Sequence, residues 1–378
     1  MENRSGTFVK QPPGYVAFIP KDLPVSPPIK YDDELHALLS DADRKLGMLE
    51  GTTRILPNPM LFVSMYIRKE ALLSSQIEGT QASFVDILDP QQVTREEPRA
   101  VFNYVDALSF GLKRLKSLPL SLRLLKEIHG ILLATGRGSK SNPGEFRTTQ
   151  NWIGFAGSDL NNAYFVPPPP YEMMSALGNL EKFFYDETPI PTLIKAAIIH
   201  SQFETIHPFI DGNGRMGRLL ITFWLCINDI LSEPLLYLSY YFKLNKQEYY
   251  DSLTNVRTQG KWEEWIKFFL KGVAFVSDEA TNSAKEILLI KEDSTNLFLA
   301  KGNANHIKLL NLLFEFPVVK RKEIESFLQV TAPTAGTILN SFIEHGVLVD
   351  MDPDRTNGKR YLFKKYYRIL EKGTELNN

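Results

Sequence analysis

The chain of 378 residues has very little cysteine, almost no net charge and no long apolar run. Its one cysteine, Cys226, excludes a disulfide framework and a thiolate metal cluster, and this suits a reducing compartment. A formal net charge of -1 gives no overall attraction to nucleic acid or to a membrane surface. The apolar runs fall short of the roughly 20 residues that span a bilayer, and the first residues lack the apolar core of a signal peptide. We therefore expect a cytoplasmic protein without a membrane segment.

The periodicity of the apolar residues predicts a mainly α fold in three regions, residues 1–110, 111–285 and 286–378. The first region begins with about 30 proline-rich residues, which we expect to form an extended arm rather than a packed element. The rest of the first region and most of the second read as helices. Residues 151–166 break this pattern with short apolar pieces around a polar turn, followed by four prolines. They predict a β-hairpin with a rigid exit.

The third region predicts three helices, at residues 307–314, 322–328 and 331–344, followed by two short strands, at 347–351 and 359–363. Three helices and a hairpin are a winged-helix pattern. A winged helix usually suggests DNA, but residues 301–378 contain 12 Lys or Arg against 9 Asp or Glu. The expected recognition helix has no Lys or Arg, and base readout relies on those residues together with Asn and Gln. DNA binding and protein contact both stay open for this region.

The sequence HPFIDGNGRMGR, residues 207–218, carries the chemistry. Its glycines match GxGxxG, but a dinucleotide fold needs a strand before them, and residues 191–206 are helical by period. A glycine loop between two helices instead places the amides of Gly212, Asn213 and Gly214 at a helix start. Such a start binds anions, because its N–H groups are unpaired and lie at the positive end of the helix dipole.

Charged residues around those glycines fit a polyphosphate. Arg215 and Arg218 lie three residues apart on the first turn, where two cations are unfavourable without an anion. Asp211 is a hard oxygen ligand suited to a phosphate-bound Mg²⁺. His207 has an ordinary pKa near neutrality and can take a proton from a hydroxyl. A structural histidine next to a simple turn is the alternative, but it does not account for the whole cluster.

The same twelve residues resemble the motif of the Fic family, HxFx[D/E]GNGRxxR, with every fixed position filled. The resemblance covers about residues 35–280 and implies a Fic helical core with a β-hairpin flap. It also implies transfer of AMP from ATP to a Tyr, Thr or Ser hydroxyl of a target protein. Relatives that transfer phosphate have lysine at the second glycine of the motif, so Gly214 favours AMP transfer.

The resemblance also implies roles for individual residues. His207 would be the general base and Asp211 would hold Mg²⁺. Arg215 would steady the triphosphate, and Arg218 would bind its γ-phosphate. The remaining motif residues would border the nucleotide phosphates: Gly212, Asn213, Gly214, Met216 and Gly217.

The hairpin resembles the family's flap, which receives the target backbone as an added strand. Four of its residues would border the nucleotide: Asn162, Ala163, Tyr164 and Phe165. On the adenosine side the resemblance indicates Tyr249, Tyr250 and Arg257, with plain helix packing as the alternative for the two tyrosines. We interpret His200 and Glu204 as support for the catalytic helix, since a metal site there would lack a fourth ligand.

The segment SSQIEG, residues 74–79, resembles the family's inhibitory motif, [S/T]xxxE[G/N], with Ser74 and Glu78 at its fixed positions. Glu78 ends a predicted helix, where a carboxylate is unfavourable unless a cation answers it. An ion pair between Glu78 and Arg218 would occupy the residue expected to bind the γ-phosphate and would prevent AMP transfer. The oligomeric state stays open, with a homodimer that holds this helix as the arrangement that analogy with the family suggests.

Two other functions stay open. The first is a winged-helix, DNA-binding regulator that uses the Fic region as a nucleotide sensor. The second is the reverse reaction, removal of AMP from a modified protein, with Glu78 positioning water.

Overall fold

The computed structural model describes residues 3–12, 14–54, 59–88, 96–136, 138–155, 157–299 and 304–376. The fold is mainly α, as predicted, with two small antiparallel sheets among these residues. The helices are α1 (Asp33–Arg54), α2 (Pro59–Ile77), α3 (Phe84–Leu88), α4 (Glu96–Leu115), α5 (Leu122–Leu132), α6 (Pro170–Phe184), α7 (Thr192–Ile206), α8 (Asn213–Ile227), α9 (Ser239–Leu244), α10 (Lys246–Gln259), α11 (Trp262–Leu299), α12 (Ala304–Glu315), α13 (Arg321–Leu328), α14 (Ala332–Glu344) and α15 (Lys364–Glu371). The strands are β1 (Gly6–Lys10), β2 (Val16–Pro20), β3 (Val318–Lys320), β4 (Leu348–Asp350) and β5 (Arg360–Phe363).

Helix α7 lies at the centre of the molecule. Every residue from Leu193 to Ile206 is buried, because its apolar residues cover all sides of the helix rather than one face. Helix α8 packs against it, and α6, α10 and α11 also contact it. The loop between α7 and α8 is therefore held by a rigid helical core.

The N-terminal residues differ from the expected extended arm. Strands β1 and β2 form an antiparallel hairpin with Gly6 opposite Pro20. Phe18 is fully buried against Phe165, with ring centroids 6.0 Å apart, and its N–H donates to the carbonyl of Val166 at 2.9 Å. The prediction was wrong because Pro20 stands at the end of its strand, where a missing N–H does not disrupt the pairing.

The predicted flap hairpin is less regular than expected. Ile153 and Phe165 form an isolated antiparallel bridge, with N–H···O distances of 2.8 and 3.0 Å. Between them, the Asn162 side chain accepts a hydrogen bond from the N–H of Asp159 at 2.7 Å. The described part of this segment is thus a loop closed by one bridge.

The C-terminal unit has the helices and the hairpin predicted from the sequence. It also contains β3 and α15, which sequence reasoning missed, and its sheet has the antiparallel order β3–β5–β4. Its helices α12 and α15 pack against both α2 and α11. The domain boundaries drawn after residues 110 and 285 fall inside α4 and α11, since each of these helices continues unbroken through its boundary.

None of the described helices combines the length and the apolar character needed to cross a lipid bilayer.

Candidate active site

The site is built on the loop that joins α7 to α8. His207 ends α7 in the left-handed conformation, with φ 49° and ψ 61°, and its N–H donates to the Phe203 carbonyl. Gly212 begins α8 with φ 80°, a conformation that a side chain rarely adopts. The chain therefore reverses between two buried helices and presents the first amides of α8 on one side.

Asn213 closes this loop. Its Oδ1 accepts from the N–H of Phe209 at 2.9 Å, and its Nδ2 donates to the carbonyl of the same residue at 2.8 Å. Asn151 donates to that carbonyl as well, at 3.0 Å. Because the Asn213 amide is used in this way and is 2% exposed, its side chain shapes the loop between α7 and α8 from inside.

His129 supports the same loop and was missed by sequence reasoning. The Gly144 N–H donates to its Nδ1 at 2.9 Å, so Nε2 carries the proton and donates to the Asp211 carbonyl at 2.9 Å. Its ring stacks on Phe209 with centroids 3.6 Å apart. Burial lowers the pKa of His129 to about 4, so the ring is neutral near pH 7.

Arg147 is a second supporting residue that the sequence did not reveal. Its Nε donates to the His207 carbonyl at 3.0 Å and its Nη2 to the Pro168 carbonyl at 2.6 Å. The side chain is 3% exposed, and burial lowers its pKa to about 10. Arg147 therefore ties the flap exit to the backbone of His207.

His207 is neutral in this site. Burial, followed by the charges of Arg257 and Arg147, lowers its pKa to about 3. Its Nδ1 lies 3.9 Å from a carboxylate oxygen of Glu204, whose own pKa burial raises to about 7. A neutral imidazole near pH 7 can accept a proton from an approaching hydroxyl.

The acidic residue of the motif lies at the solvent side of the loop. Asp211 is 37% exposed at its side chain, and its Oδ1 accepts from the Gly212 N–H at 2.6 Å. Arg215 approaches the same oxygen at 3.7 Å. The described residues contain no cluster of three or more His, Cys, Asp or Glu that would hold a metal alone. A single exposed carboxylate fits Mg²⁺, which takes one or two carboxylates together with substrate phosphates and water.

Gly214 lies beside both charged residues of the predicted inhibitory pair. A Cβ atom at this position would overlap Glu78 Oε1 and lie 3.0 Å from Arg218 Nη1. The close approach of backbone to carboxylate therefore requires glycine.

Two motif residues face away from this side of the loop. Met216 is fully buried in the core. Gly217 packs against α7, where its carbonyl accepts from His200 Nδ1 at 3.0 Å and a Cβ would overlap Glu204. Both were predicted to border the nucleotide, but they lie on the side of α8 that packs into the core and against α7.

Arg218 is enclosed by the end of α2. Its Nε donates to Ser74 Oγ at 2.8 Å, and its Nη2 donates to the Ser74 carbonyl at 2.9 Å and to Glu78 Oε1 at 2.7 Å. Burial would raise the pKa of Glu78, but the charge and the hydrogen bond of Arg218, together with the charge of Arg215, outweigh it and hold that pKa below its usual value. The contact predicted from the two motifs is thus present, between ionised groups.

A cavity of about 310 Å³ opens next to the loop, between the flap and α10. Tyr164 and Phe165 line it from the flap, Tyr250 and Arg257 line it from α10, and Glu204 lies in its wall. Arg257 is positioned by a cation–π contact with Phe165, at 4.2 Å from the ring centroid. The cavity has the apolar walls and few polar groups typical of a small-molecule site.

Three other predicted residues do not line this cavity. Tyr249 is 1% exposed, and its hydroxyl donates to His200 Nε2 at 2.9 Å. Helix packing, the alternative considered for it, is therefore what the structure shows. Asn162 and Ala163 precede the lining residues, and the Asn162 amide is used within its own turn.

Comparison with known proteins agrees with this geometry. The Fic/DOC family matches residues 119–225, and its N-terminal region matches residues 36–113. Over these two stretches the chain is similar to the Fic/DOC family.

Two curated relatives are named protein adenylyltransferases. The probable protein adenylyltransferase aq_aa38 of Aquifex aeolicus (strain VF5) is 40% identical over 81 residues, which are 21% of this chain and 25% of that protein. Protein adenylyltransferase fic-1 of Caenorhabditis elegans is 33% identical over 104 residues, 27% of this chain and 18% of that protein. The chain thus matches a quarter or less of the length of these relatives.

A solved structure resembles most of the chain. The crystal structure of a Fic family protein from Desulfovibrio desulfuricans G20 superposes with a TM-score of 0.58 at 20% identity. The match covers 89% of this chain and 98% of that one. It shows that the fold is shared.

Proposed function

We propose that the chain is an autoinhibited protein adenylyltransferase that transfers AMP from ATP to a Tyr, Thr or Ser hydroxyl of a target protein or of itself. The observation that carries this proposal is the neutral imidazole of His207 beside the glycine-opened start of α8. Such a start binds phosphate, and the base lies next to it. The relatives named adenylyltransferases support the same reaction.

In the proposed reaction, the hydroxyl oxygen attacks the α-phosphorus of ATP while His207 takes the hydroxyl proton. The bond from the α-phosphorus to the bridging oxygen breaks, and pyrophosphate leaves. The amides at the start of α8 and the two arginines, Arg215 and Arg218, bind the triphosphate and offset its charge. Mg²⁺ bound at Asp211 would supply further charge neutralisation. Positioning and electrostatics provide the rate enhancement in such a site.

The adenosine would occupy the cavity between the flap and α10. Its apolar wall at Tyr250 suits a base, and the flap residues Tyr164 and Phe165 face it. The target hydroxyl would enter along the flap, whose strand-like edge at Ile153 can pair with an extended segment.

Inhibition follows from the occupancy of Arg218. While Glu78 and Ser74 hold the guanidinium, its Nε and Nη2 are not available to the γ-phosphate. Glu78 would also repel the triphosphate, because it is ionised and lies against Gly214. ATP would then bind with its γ-phosphate displaced and its α-phosphorus out of line with the hydroxyl.

Removal of AMP from a modified protein is the second candidate function. Glu78 is 38% exposed at its side chain and lies beside the phosphate loop, so its carboxylate can reach a water molecule there. Incubation with an AMP-modified protein separates the two directions: release of AMP by the wild type, lost in Glu78→Gln, indicates removal.

For the C-terminal unit we propose protein contact rather than DNA binding. The exposed residues of α14 include Thr334, Thr337 and Asn340, with no cation. In the hairpin, Arg360 pairs with Asp352 at 2.8 Å, and Lys359 pairs with Asp350 at 2.6 Å. The positive charges of both side chains are therefore largely neutralised. A gel shift on random duplex DNA that weakens with salt would contradict this proposal.

The decisive experiment uses ATP labelled at either end of the triphosphate. We expect Glu78→Gly protein to incorporate label from the α-phosphate and none from the γ-phosphate, with release of pyrophosphate. His207→Ala in the same background should incorporate neither. Label from the γ-phosphate would instead indicate a kinase, and absence of both labels together with no calorimetric ATP binding would refute the nucleotide function.

A further inference from the structure

A segment near the end of the described chain, Gly373–Glu375, lies against the end of helix α2, which carries the proposed inhibitory residue Glu78. We call this segment the strap. Gln76 Nε2 donates to the Thr374 carbonyl at 2.8 Å and also to the Ala82 carbonyl at 2.9 Å. Thr374 is 3% exposed. The strap is therefore packed into the protein rather than trailing from it.

Lys243 joins the strap to α2 from a third element, α9. Its ammonium donates to Gln76 Oε1 at 2.8 Å, to the Gly373 carbonyl at 3.1 Å and to the Glu375 carbonyl at 2.6 Å. These three bonds use all three donors of the ammonium group. One side chain thus binds both the helix end and the strap.

The path of the strap depends on Gly373. Its φ is +83°, and a Cβ at this position would overlap the ring of Tyr240. A side chain here would be strained in its backbone and would push the strap away from α9. The strap thus has a point where a single methyl group displaces it.

Gln76 lies two residues before Glu78, at the start of the turn that ends α2. The Glu78 N–H donates to the Ser75 carbonyl at 3.1 Å, and the Gly79 N–H to the Gln76 carbonyl at 3.0 Å. Lys246 Nζ donates to the Ile77 carbonyl at 2.8 Å. Any shift of Gln76 is passed to Glu78 through this single turn.

We propose that the strap holds Glu78 on Arg218, so that the C-terminal unit controls the active site through the end of α2. The inference rests on the inhibitory role proposed above for Glu78. The strap follows directly from α15, which itself packs on α2. A partner that draws α15 away from α2 would therefore loosen the turn that carries Glu78.

The test combines hydrogen exchange with self-labelling by ATP, in the full chain. Gly373→Ala displaces the strap, and Lys243→Met removes the ammonium while keeping the apolar stem. In both variants we expect the Glu78 and Gly79 amides to exchange about 10-fold faster, since hydrogen bonds that restrain the turn are lost. Self-labelling should rise by about 3- to 10-fold over wild type, as Glu78 spends more time off Arg218.

The matched control is Lys372→Met, next to the strap. Lys372 is 58% exposed and pairs with Glu279 on α11, not with α2. We expect both exchange and labelling to stay at the wild-type level. In a Glu78→Gly background, Gly373→Ala should add no further labelling, because the group that the strap positions is gone.

Unchanged exchange at Glu78 and Gly79 in both strap variants would overturn the proposal. Faster exchange without more labelling, in a protein that Glu78→Gly does activate, would overturn the regulatory role of the strap alone. If Glu78→Gly itself fails to activate a protein that binds ATP, the inhibitory function fails first, and this control reveals it.

Discussion

Arg218 Nη2 and Glu78 Oε1 lie 2.7 Å apart although 140 residues separate them in the chain. The arginine is 2% exposed at its side chain and the glutamate 38%, so the pair lies at the boundary between the core and the loop that joins α7 to α8. A buried cation requires an anion, and here either a carboxylate or a phosphate can serve. The pair therefore links a structural requirement to the proposed control of ATP binding.

Replacing Glu78 tests that link. We expect Glu78→Gly to raise the rate of self-labelling by about 10- to 100-fold, because a hydrogen bond to a charged group contributes about 1.5–3 kcal/mol. Glu78→Gln removes the charge but keeps an acceptor, so its labelling rate should lie between those of wild type and Glu78→Gly. Scintillation counting of the α-labelled protein measures all three. Equal rates in the three proteins would contradict inhibition by Glu78.

Arg147 should be needed to position His207. Its guanidinium donates to the carbonyls of His207 and Pro168, and Arg147→Met leaves the Pro168 carbonyl without its donor and the His207 carbonyl with Asn151 alone, at 3.3 Å. We expect the free energy of unfolding to fall by about 1–3 kcal/mol, the cost of one unsatisfied buried group. In the Glu78→Gly background, kcat should fall at least about 10-fold while the KM for ATP changes little, since the base is displaced and the phosphate loop stays.

The conservative and matched variants separate positioning from charge. Arg147→Lys keeps the charge but cannot reach several carbonyls in a fixed plane, so we expect an intermediate kcat. Arg123→Met removes an arginine that is 71% exposed and paired with Glu127, and should change stability by less than about 0.5 kcal/mol. A kcat for Arg147→Met equal to that of the Glu78→Gly parent would show that Arg147 does not position His207.

Asp211 should set the magnesium dependence of ATP binding. Asp211→Asn keeps an acceptor for the Gly212 N–H but removes the negative charge that a divalent cation requires. In a Glu78→Gly background, we expect Mg²⁺ to tighten ATP binding at least about 10-fold, and this gain to vanish in Asp211→Asn. Calorimetric titrations with Mg²⁺ and with a chelator measure both. An equal gain from Mg²⁺ in the two proteins would remove Asp211 from the proposed metal site.

The chemistry of the loop could be predicted from the sequence because its parts are consecutive. In HPFIDGNGRMGR, helix geometry alone places Gly212 at a helix start and brings Arg215 and Arg218 to its first turns. The pairing of Glu78 with Arg218 joins distant residues, but each lies in a local motif that resembles the family. For Gly212, Arg218 and Glu78 the structure agrees with the predicted placement.

The supporting residues could not be predicted in this way. His129 and Arg147 act on backbone carbonyls and amides, which every residue has, so no partner residue marks their role. Tyr249 and Met216 were placed at the nucleotide because of their position in a motif, yet the rotation of their helices turns them into the core. The same limit applies to the strap, whose contacts with Gln76 use carbonyls far along the chain.

The pH dependence of stability should depend on His200, which is fully buried between α8 and α10. Its Nδ1–H donates to the Gly217 carbonyl and its Nε2 accepts from the Tyr249 hydroxyl, so the ring is neutral. Burial lowers its pKa to about 3, whereas the unfolded chain has a histidine pKa of about 6.5. Below pH 6.5 this histidine therefore binds a proton in the unfolded state but not in the folded state, and the free energy of unfolding falls as the pH falls toward 3.

The size of this effect follows from about 1.4 kcal/mol per pH unit, which is about 2 kcal/mol between pH 6.5 and pH 5. His200→Gln does not titrate, so it should lack this loss, although it is less stable at pH 7. His207, His129 and the buried glutamates titrate in both proteins and cancel in the comparison. Urea unfolding, followed by tryptophan fluorescence at pH 7 and at pH 5, gives the stability of each protein at each pH. We expect the difference in stability between wild type and His200→Gln to be about 2 kcal/mol smaller at pH 5, because only the wild type loses the stability that its neutral imidazole contributes. A difference that stays constant would mean that His200 is protonated in the folded protein.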